Sequence, residues 1–212
     1  MIFRLLDDEI IFPDPALAEP DGLLAIGGDL SPARLVLAYQ HGIFPWFSAD
    51  DPILWYAPHE RCVIFPEQIK MSKSMKKVLR DGLFKVTVNQ AFDVVIKQCA
   101  LTPRNGQDGT WITTEMQHAY LSLHQLGIAH SVEVWLEEEL VGGLYGIKMG
   151  KVFCGESMFS EVSNASKTAL IYLAKHLDFE LIDCQLPNEH LMSLGAEMIS
   201  SRQYLDILRA GL

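Results

Sequence analysis

The stretch SVEVWLEEELVGGLYGIKMGKVFCGESMF, residues 131–159, decides the fold of this 212-residue chain. Apolar residues dominate three runs, 131–136, 140–149 and 151–159, and turn-forming residues separate them at 137–139 and at Gly150. Apolar runs of this length joined by short turns are typical of consecutive antiparallel strands. We therefore predict a three-stranded meander.

The regions on either side of the meander predict helices and further strands. Residues 84–88 and 181–186 have the pattern of short strands, and 163–177 and 203–209 have the pattern of helices. Another helix follows Asn89, taken as its N-cap, with apolar residues at helical spacing: Phe92, Val95, Ile96 and Cys99. The sum is an α/β (α+β) fold with a largely antiparallel sheet.

The N-terminal part of the chain is organised differently. Its one clear helix is capped by Ser31 and stopped by Gly42, and a loop region follows in which aromatic residues alternate with prolines. We predict a small N-terminal α/β domain over residues 1–62 and a larger domain over residues 63–212.

Composition limits the class of protein. Hydrophobic residues make up 49% of the chain, charged residues make up 21%, and no run approaches about 18 uninterrupted apolar residues. These properties predict a soluble, unsecreted protein that does not span a membrane. The four cysteines are scattered among apolar neighbours, and the seven histidines form no metal-ligand pattern, so we expect reduced thiols and no metal.

Positive charge is concentrated in one segment, although the net charge is −10. Residues 70–80, KMSKSMKKVLR, contain five of the seventeen lysines and arginines and no acid: Lys70, Lys73, Lys76, Lys77 and Arg80. On a helix these five would share an arc of roughly 120°. Such a face suits a phosphate backbone, but it is equally typical of the solvated side of an amphipathic helix.

Three polar residues stand out within predicted strands. Period-two alternation places Asp183 and Gln185 on one face, roughly 7 Å apart. They could satisfy nearby backbone groups; alternatively, Asp183 could hold or deprotonate an amine while Gln185 donates to a developing oxyanion. Glu156 is a lone carboxylate in an apolar run beside Gly155, and it could pair with a buried cation or recognise a positively charged substrate.

Five ordered motifs carry a family resemblance. They are GLLAIGGDL at 22–30, GIFPWF at 42–47, GTWI at 109–112, FCGESMFS at 153–160 and NASKTAL at 164–170. Together with LIDCQ at 181–185, they closely resemble the leucyl/phenylalanyl-tRNA-protein transferases. The resemblance extends over most of the chain.

This resemblance implies a fold and an activity. A small domain would precede a catalytic domain similar to the N-acetyltransferase (GNAT) fold. The substrates would be tRNA charged with Leu or Phe, and sometimes Met, together with acceptor proteins that begin with Arg or Lys. The transfer would mark these proteins for degradation by the bacterial N-end rule. It would need no cofactor and no metal, and we expect a cytoplasmic monomer.

The resemblance also assigns roles to residues. Asp183 and Gln185 match the catalytic pair, Glu156 matches an acidic position beside the incoming amine, and Asn188 would hold the acceptor peptide. The pocket for the aminoacyl side chain would consist of Leu144, Phe153, Gly155, Met158, Leu173 and Ile182. Trp46 and Trp111 would contact the 3′ end of the tRNA, and the basic segment would contact its phosphates.

Two other functions are compatible with the sequence. The first is an acetyl-CoA-dependent N-acetyltransferase, although the glycines at 142–146 lie in a strand pattern and not in a loop that opens a helix. The second is a non-catalytic adaptor that binds tRNA or protein N-termini. Leu173 stands where an aromatic pocket residue can occur in the family, which leaves the preference between Leu and Phe undecided.

Overall fold

The computed structural model describes residues 2–103 and 110–212, and two sheets organise this part of the chain. The N-terminal sheet consists of β1 (Phe3–Leu5), β2 (Leu23–Gly27), β3 (Phe44–Pro45) and β4 (Leu54–Tyr56). Its strand order is β1-β2-β4-β3. Helix α1 (Pro32–Gln40) begins at the predicted cap, where the Ser31 side chain accepts the amide of Arg34, and the chain turns at Gly42 with φ of 70°.

The larger sheet has seven strands, and it contains the predicted meander. The strands are β5 (Glu60–Ile64), β6 (Lys85–Val88), β7 (Ala129–Leu136), β8 (Glu139–Met149), β9 (Val152–Ser160), β10 (Leu181–Gln185) and β11 (Glu197–Ser200). Their order is β11-β5-β10-β9-β8-β7-β6, and every pair is antiparallel except β9 with β10. The predicted α/β class with a largely antiparallel sheet is confirmed.

Six helices accompany this sheet. They are α2 (Lys73–Asp81), α3 (Phe92–Leu101), α4 (Thr114–Gln125), α5 (Ala165–His176), α6 (Glu189–Ser193) and α7 (Ser201–Gly211). Helix α5 forms the crossover between the parallel strands β9 and β10, as a parallel connection requires. Ser200 caps α7 with a reciprocal hydrogen-bond pair to Gln203.

Each face of the seven-stranded sheet buries its own core. One core joins the N-terminal sheet to α3, α4 and α7, and it contains Cys154 and Leu181. The other core lies beneath α2 and α5, and it contains Phe153 and Ile182. Successive residues of β9 and β10 therefore point into different cores, as the pleat of a strand dictates. All four cysteines are free, and three are buried.

The predicted N-cap of α3 is wrong. The helix begins at Phe92, and its cap residue Ala91 makes no side-chain capping bond. The side chain of Asn89 instead accepts the amide of Ser131, while the amide of Ala91 donates to the buried carboxylate of Glu133 at 3.4 Å. A carboxylate near a helix N-terminus is electrostatically favourable. Glu133, a residue of strand β7, therefore stabilises the start of α3 in place of Asn89.

The boundary drawn at residue 62 lies inside β5, which belongs wholly to the larger sheet. Within the described ranges, no helix is both long enough and apolar enough to cross a membrane.

Candidate active site

The site lies where strands β9 and β10 stop pairing. Their parallel ladder ends at the pair Cys154 and Asp183, although both strands continue beyond it. A cavity of about 310 Å³ occupies the space past this point. Its wall includes Gly155, Glu156 and Met158 from the β9 side, and Gln185 from the β10 side.

The predicted aminoacyl pocket is brought together in this cavity. All six residues line it: Leu144, Phe153, Gly155, Met158, Leu173 and Ile182. The sequence reasoning missed other lining residues, namely Phe44, Pro45, Ser157, Leu170, Cys184, Leu186, His190 and Leu191. Leu170 was within reach of sequence reasoning, because it lies one helical turn before Leu173 on α5.

A β-bulge presents Glu156 to the cavity. Tyr145 and Gly146 of β8 pair with Ser157 and Gly155 of β9, respectively. Glu156, which lies between the two β9 residues, therefore has no partner on β8. The backbones approach closely here, and a Cβ on Gly146 would lie 2.2 Å from the carbonyl oxygen of Cys154. Bulges redirect side chains, and this one turns Glu156 away from the regular alternation of β9.

Two tyrosines hold the carboxylate of Glu156. Tyr39 on α1 donates to Oε1 at 2.7 Å, Tyr120 on α4 donates to Oε2 at 3.1 Å, and the two phenol oxygens also contact each other. Nε2 of Gln185 lies 3.4 Å from Oε1. Burial raises the pKa of Glu156 to about 7, while the two phenol hydrogen bonds act in the opposite direction.

Asp183 lies beside the cavity but does not line it. Its carboxylate is fully buried and accepts Nε and Nη2 of Arg61 at 2.9 and 2.8 Å. The Tyr204 hydroxyl and the backbone N–H of Gln185 also donate to it, at 3.0 and 2.9 Å. Arg61 lies against the rings of Phe44 and Tyr204, and its Nη1 donates to the carbonyl of Gly42.

The predicted alternation of Asp183 and Gln185 is wrong. The ladder with β5 shifts register between them, and Gln185 has a φ of 58° in the left-handed region. The backbone N–H of Gln185 donates to Oδ1 of Asp183, and this hydrogen bond closes a short turn at the end of β10. Gln185 thereby reaches the cavity, whereas Asp183 supports the turn from behind.

The remaining predicted contacts lie around the cavity. Trp46 and Trp111 both line it, and Trp46 also packs edge-on against Tyr56 with ring centroids 5.6 Å apart. Asn188 lines it too, and its Oδ1 caps α6 by accepting the amide of Leu191 at 2.8 Å. Gly109, the first residue of the GTWI motif, lies outside the described residues.

The basic segment forms an exposed face on α2. The helix starts at Lys73 after the cap Ser72, so the prediction that Lys70 lies on it is wrong. Lys70 is exposed in the loop before α2, and its backbone amide donates to the carbonyl of Leu194, which follows α6. The remaining four cations stay within an arc of about 100°: Lys73, Lys76, Lys77 and Arg80. Met75 anchors the other side of the helix in the core.

Sequence reasoning did not find Arg61, Tyr39 or Tyr120 as site residues. Tyr39 and Tyr120 belong to the apolar faces of helices, where a tyrosine is indistinguishable from a core residue. No group of three or more His, Cys, Asp or Glu side chains suited to a metal occurs among the residues described.

These features define the class of protein. An apolar cavity for a side chain, an amide donor beside it and a carboxylate for an amine are the parts that an acyltransferase acting on amines needs. Residues 63–209 match the family model of the leucyl/phenylalanyl-tRNA protein transferases, and residues 28–59 match the model of their N-terminal domain. The chain belongs to the leucyl/phenylalanyl-tRNA protein transferase family of aminoacyltransferases.

Curated relatives agree with this assignment. The chain is 57% identical to a leucyl/phenylalanyl-tRNA–protein transferase of Pseudomonas aeruginosa, over 99% of this chain and 94% of that protein. It is 55% identical to one from Flavobacterium johnsoniae, over 95% and 97% of the two chains. Among solved structures, a GCN5-related N-acetyltransferase from Kribbella flavida matches 78% of this chain and 60% of that one, with 10% identity and a TM-score of 0.38. So low a score has no bearing on function.

Proposed function

We propose that this protein transfers Leu or Phe, and sometimes Met, from aminoacyl-tRNA to acceptor proteins that begin with Arg or Lys. The observation that carries the proposal is a cavity in which apolar residues, two tryptophans, Glu156 and Gln185 meet. Its volume lies at the lower end of the range for ligand pockets, roughly 300–1,000 Å³. This size suits one amino-acid side chain.

The aminoacyl side chain would occupy the apolar end of the cavity. Leu144, Phe153, Leu173 and Ile182 are all buried there and offer no hydrogen-bonding group from their side chains. Pockets of this kind separate substrates that differ by one methylene by only about 1–3 kcal/mol. Several apolar amino acids can therefore share the site, and a charged one cannot.

The reaction would be the aminolysis of an ester. The ester bond to the tRNA ribose is already activated, so the step requires a neutral amine, close approach and stabilisation of the oxyanion. Gln185 is the amide donor at the cavity and would bind the carbonyl oxygen of the ester. Asp183 would act as a positioning residue, since it holds the turn that presents Gln185.

The acceptor would enter with its positive charge towards Glu156. An N-terminal Arg or Lys brings both an α-ammonium and a cationic side chain, and a partly buried carboxylate favours both. Asn188 would contact the acceptor peptide at the cavity rim. An acceptor beginning with Asp or Glu would meet like charge.

The tRNA would lie across α2, with its 3′ end at Trp46 and Trp111. The four exposed cations of α2 suit phosphates, and the tryptophans suit stacking on a terminal base. We place the protein in the cytoplasm as a monomer, with the transfer marking acceptors for N-end-rule degradation.

The test is a transfer assay with purified components. The protein is mixed with tRNA carrying labelled Leu or Phe and with peptides that begin with Arg, Lys, Asp or Ala, in the absence of ATP and acetyl-CoA. Label on the Arg and Lys peptides alone is the expected result. Label on the Asp peptide would contradict the acceptor assignment.

Two further arms separate the alternative functions. An adaptor would bind charged tRNA or peptide without moving label, and its binding would survive Gln185→Ala. An acetyltransferase would label the peptides from acetyl-CoA. The structure does not favour an acetyltransferase, because Gly142, Gly143 and Gly146 lie within strand β8 and do not form a pyrophosphate-binding loop that opens a helix.

A further inference from the structure

Two carboxylates lie near the cavity, and they differ in their freedom to take up a proton. Asp183 accepts four hydrogen bonds, two of them from Arg61 in a parallel pair, and it does not line the cavity. A bidentate guanidinium pair is among the strongest hydrogen-bonded arrangements in proteins. Asp183 is therefore committed to its partners and out of reach of a substrate amine.

Glu156 is in the opposite situation. It lines the cavity, and its partners are two phenols and one amide, all neutral groups. None of the described residues forms an ion pair with it. An incoming ammonium can therefore reach this carboxylate without displacing a protein cation.

The hydrogen bonds around Glu156 leave room for one more proton. Tyr39, Tyr120 and the carboxylate form a closed ring of three oxygen-to-oxygen contacts. Burial raises the pKa of both phenols well above the usual value, so each phenol carries one proton. Two protons can serve only two of the three contacts, and the third contact becomes a hydrogen bond only when Glu156 is protonated.

We propose that Glu156 is the proton acceptor for the α-ammonium of the acceptor, and that Tyr39 and Tyr120 are positioning residues whose ring of hydrogen bonds is completed by that proton; this inference rests on the proposed aminoacyl transfer. In the protonated state the carboxyl O–H donates to Tyr120, Tyr120 donates to Tyr39, and Tyr39 donates to the other carboxyl oxygen. Each oxygen pair in the ring then holds one proton.

The proton balance of the transfer is complete with this assignment. One proton of the ammonium passes to Glu156, and the neutral nitrogen attacks the ester carbonyl carbon. A C–N bond forms, the C–O bond to the ribose breaks, and a second proton from the nitrogen ends on the ribose oxygen. The products are an amide, a free ribose hydroxyl and a protonated Glu156, which releases its proton to solvent.

The electrostatic surroundings of Glu156 agree with this role. Burial raises its pKa to about 7, which is close to the working pH that suits a general base. The titratable and charged groups that face it from other elements are Tyr39 from α1, Tyr120 from α4, Asp183 from β10 and Arg61 from β5. The last two act in opposite directions and are paired with each other. Cys154 on β9 also interacts with Glu156, and burial raises the pKa of this thiol well above its usual value, so the thiol stays neutral.

The test is the pH dependence of kcat/KM for an Arg peptide. The wild type should give a bell, with an acid limb near pH 7 from Glu156 and an alkaline limb near pH 8 from the α-amino group of the peptide. Tyr39→Phe and Tyr120→Phe each remove one hydrogen bond to the carboxylate. Each should move the acid limb up by about one pH unit and leave the alkaline limb in place.

Glu156→Gln supplies the sharpest outcome. This variant should lose roughly 10²-fold or more in kcat/KM, and its residual rate should rise with pH through about 8, because only the neutral amine then reacts. Tyr172→Phe, a change on α5 outside the cavity, is the matched control and should keep the wild-type bell. A bell that is unchanged in Glu156→Gln would overturn the inference and leave the proposed transfer intact.

A second measurement is independent of turnover. Infrared difference spectra across the same pH range should show a protonated carboxyl that titrates near pH 7 in the wild type and is missing in Glu156→Gln. Its absence from the wild type would also refute the inference. A wild-type protein that transfers no label at any pH would instead refute the proposed function, and with it the inference.

Discussion

Arg61 and Asp183 are joined by two parallel hydrogen bonds in the interior, from Nε to Oδ1 and from Nη2 to Oδ2. The pair spans strands β5 and β10, and Arg61 also reaches the carbonyl of Gly42 in the N-terminal part of the chain. One buried side chain thus connects the N-terminal unit to the turn that presents Gln185.

Removing one partner of this ion pair should be costly. Arg61→Met leaves the carboxylate of Asp183 buried without a counter-charge, and we expect the free energy of unfolding to fall by about 3–5 kcal/mol, measured by urea denaturation. The double variant Arg61→Met/Asp183→Leu removes both charges and should recover most of this loss. Equal destabilisation of the single and double variants would show that the ion pair itself is not the cause.

The left-handed backbone of Gln185 predicts a trade of activity for stability. Gln185→Gly relieves a conformation that costs a side-chain-bearing residue about 1 kcal/mol, so the unfolding free energy should stay level or rise by up to about that amount. Transfer should fall by roughly 10²–10³-fold in kcat, because the proposed oxyanion donor is lost. Gln185→Ala is the control, with the same loss of transfer and no gain in stability. A glycine variant that keeps its activity would contradict the assigned role.

Leu173 should influence the choice between Leu and Phe. It is fully buried on the α5 side of the cavity, and Leu173→Phe would fill part of the space available to a substrate side chain. We expect Phe transfer to fall about tenfold more than Leu transfer, measured with the two charged tRNAs in competition. Ile171→Phe is the control. Ile171 faces a different groove, between α2 and α5, so this change should leave the ratio of Phe transfer to Leu transfer unaltered. A ratio that shifts equally in both variants would point to a general disturbance of α5.

The basic face of α2 should determine how tRNA affinity responds to salt. Lys73→Gln, Lys76→Gln and Lys77→Gln together should weaken binding and flatten the plot of log K against log salt concentration, by about 0.9 in slope for each lost duplex phosphate contact. Lys97→Gln is the control: this exposed lysine pairs with Asp93 on α3, and it should leave the slope alone. If tRNA affinity depends on neither the salt concentration nor the triple substitution, α2 is not part of the surface that binds tRNA.

Much of the fold follows from periodicity in the sequence. The ends of the three meander strands lie within two residues of the predicted limits, because long apolar runs and strong turns leave few alternatives. The N-cap of α3 was mispredicted because a local rule cannot anticipate Glu133. This residue belongs to a strand about forty positions away and reaches the helix only in the folded chain.

The site was harder to derive from the sequence because its polar residues lie where periodicity fails. Glu156 sits on a bulge, and Gln185 sits in a turn with positive φ. The motif resemblance identified both residues, whereas alternation alone gave Asp183 and Gln185 the wrong relative orientation. Arg61 carries no periodic signal, and its importance becomes apparent only from the contacts that β5 makes with β10.

The bulge in β9 makes the length of that strand a functional property. Phe153 and Met158 are five positions apart, an odd offset that would place them on opposite faces of a regular strand. They still line the same cavity because the extra residue of the bulge reverses the alternation between them. Deleting Ser157 would give an uninterrupted ladder with β8, in which Glu156 pairs with Tyr145 while Met158 still pairs with Leu144. The deletion would therefore keep the apolar wall but remove the bulge that presents Glu156 to the cavity. A substitution in this strand therefore changes one wall of the cavity, whereas this one-residue deletion would make the β8–β9 ladder regular and remove the carboxylate from the cavity.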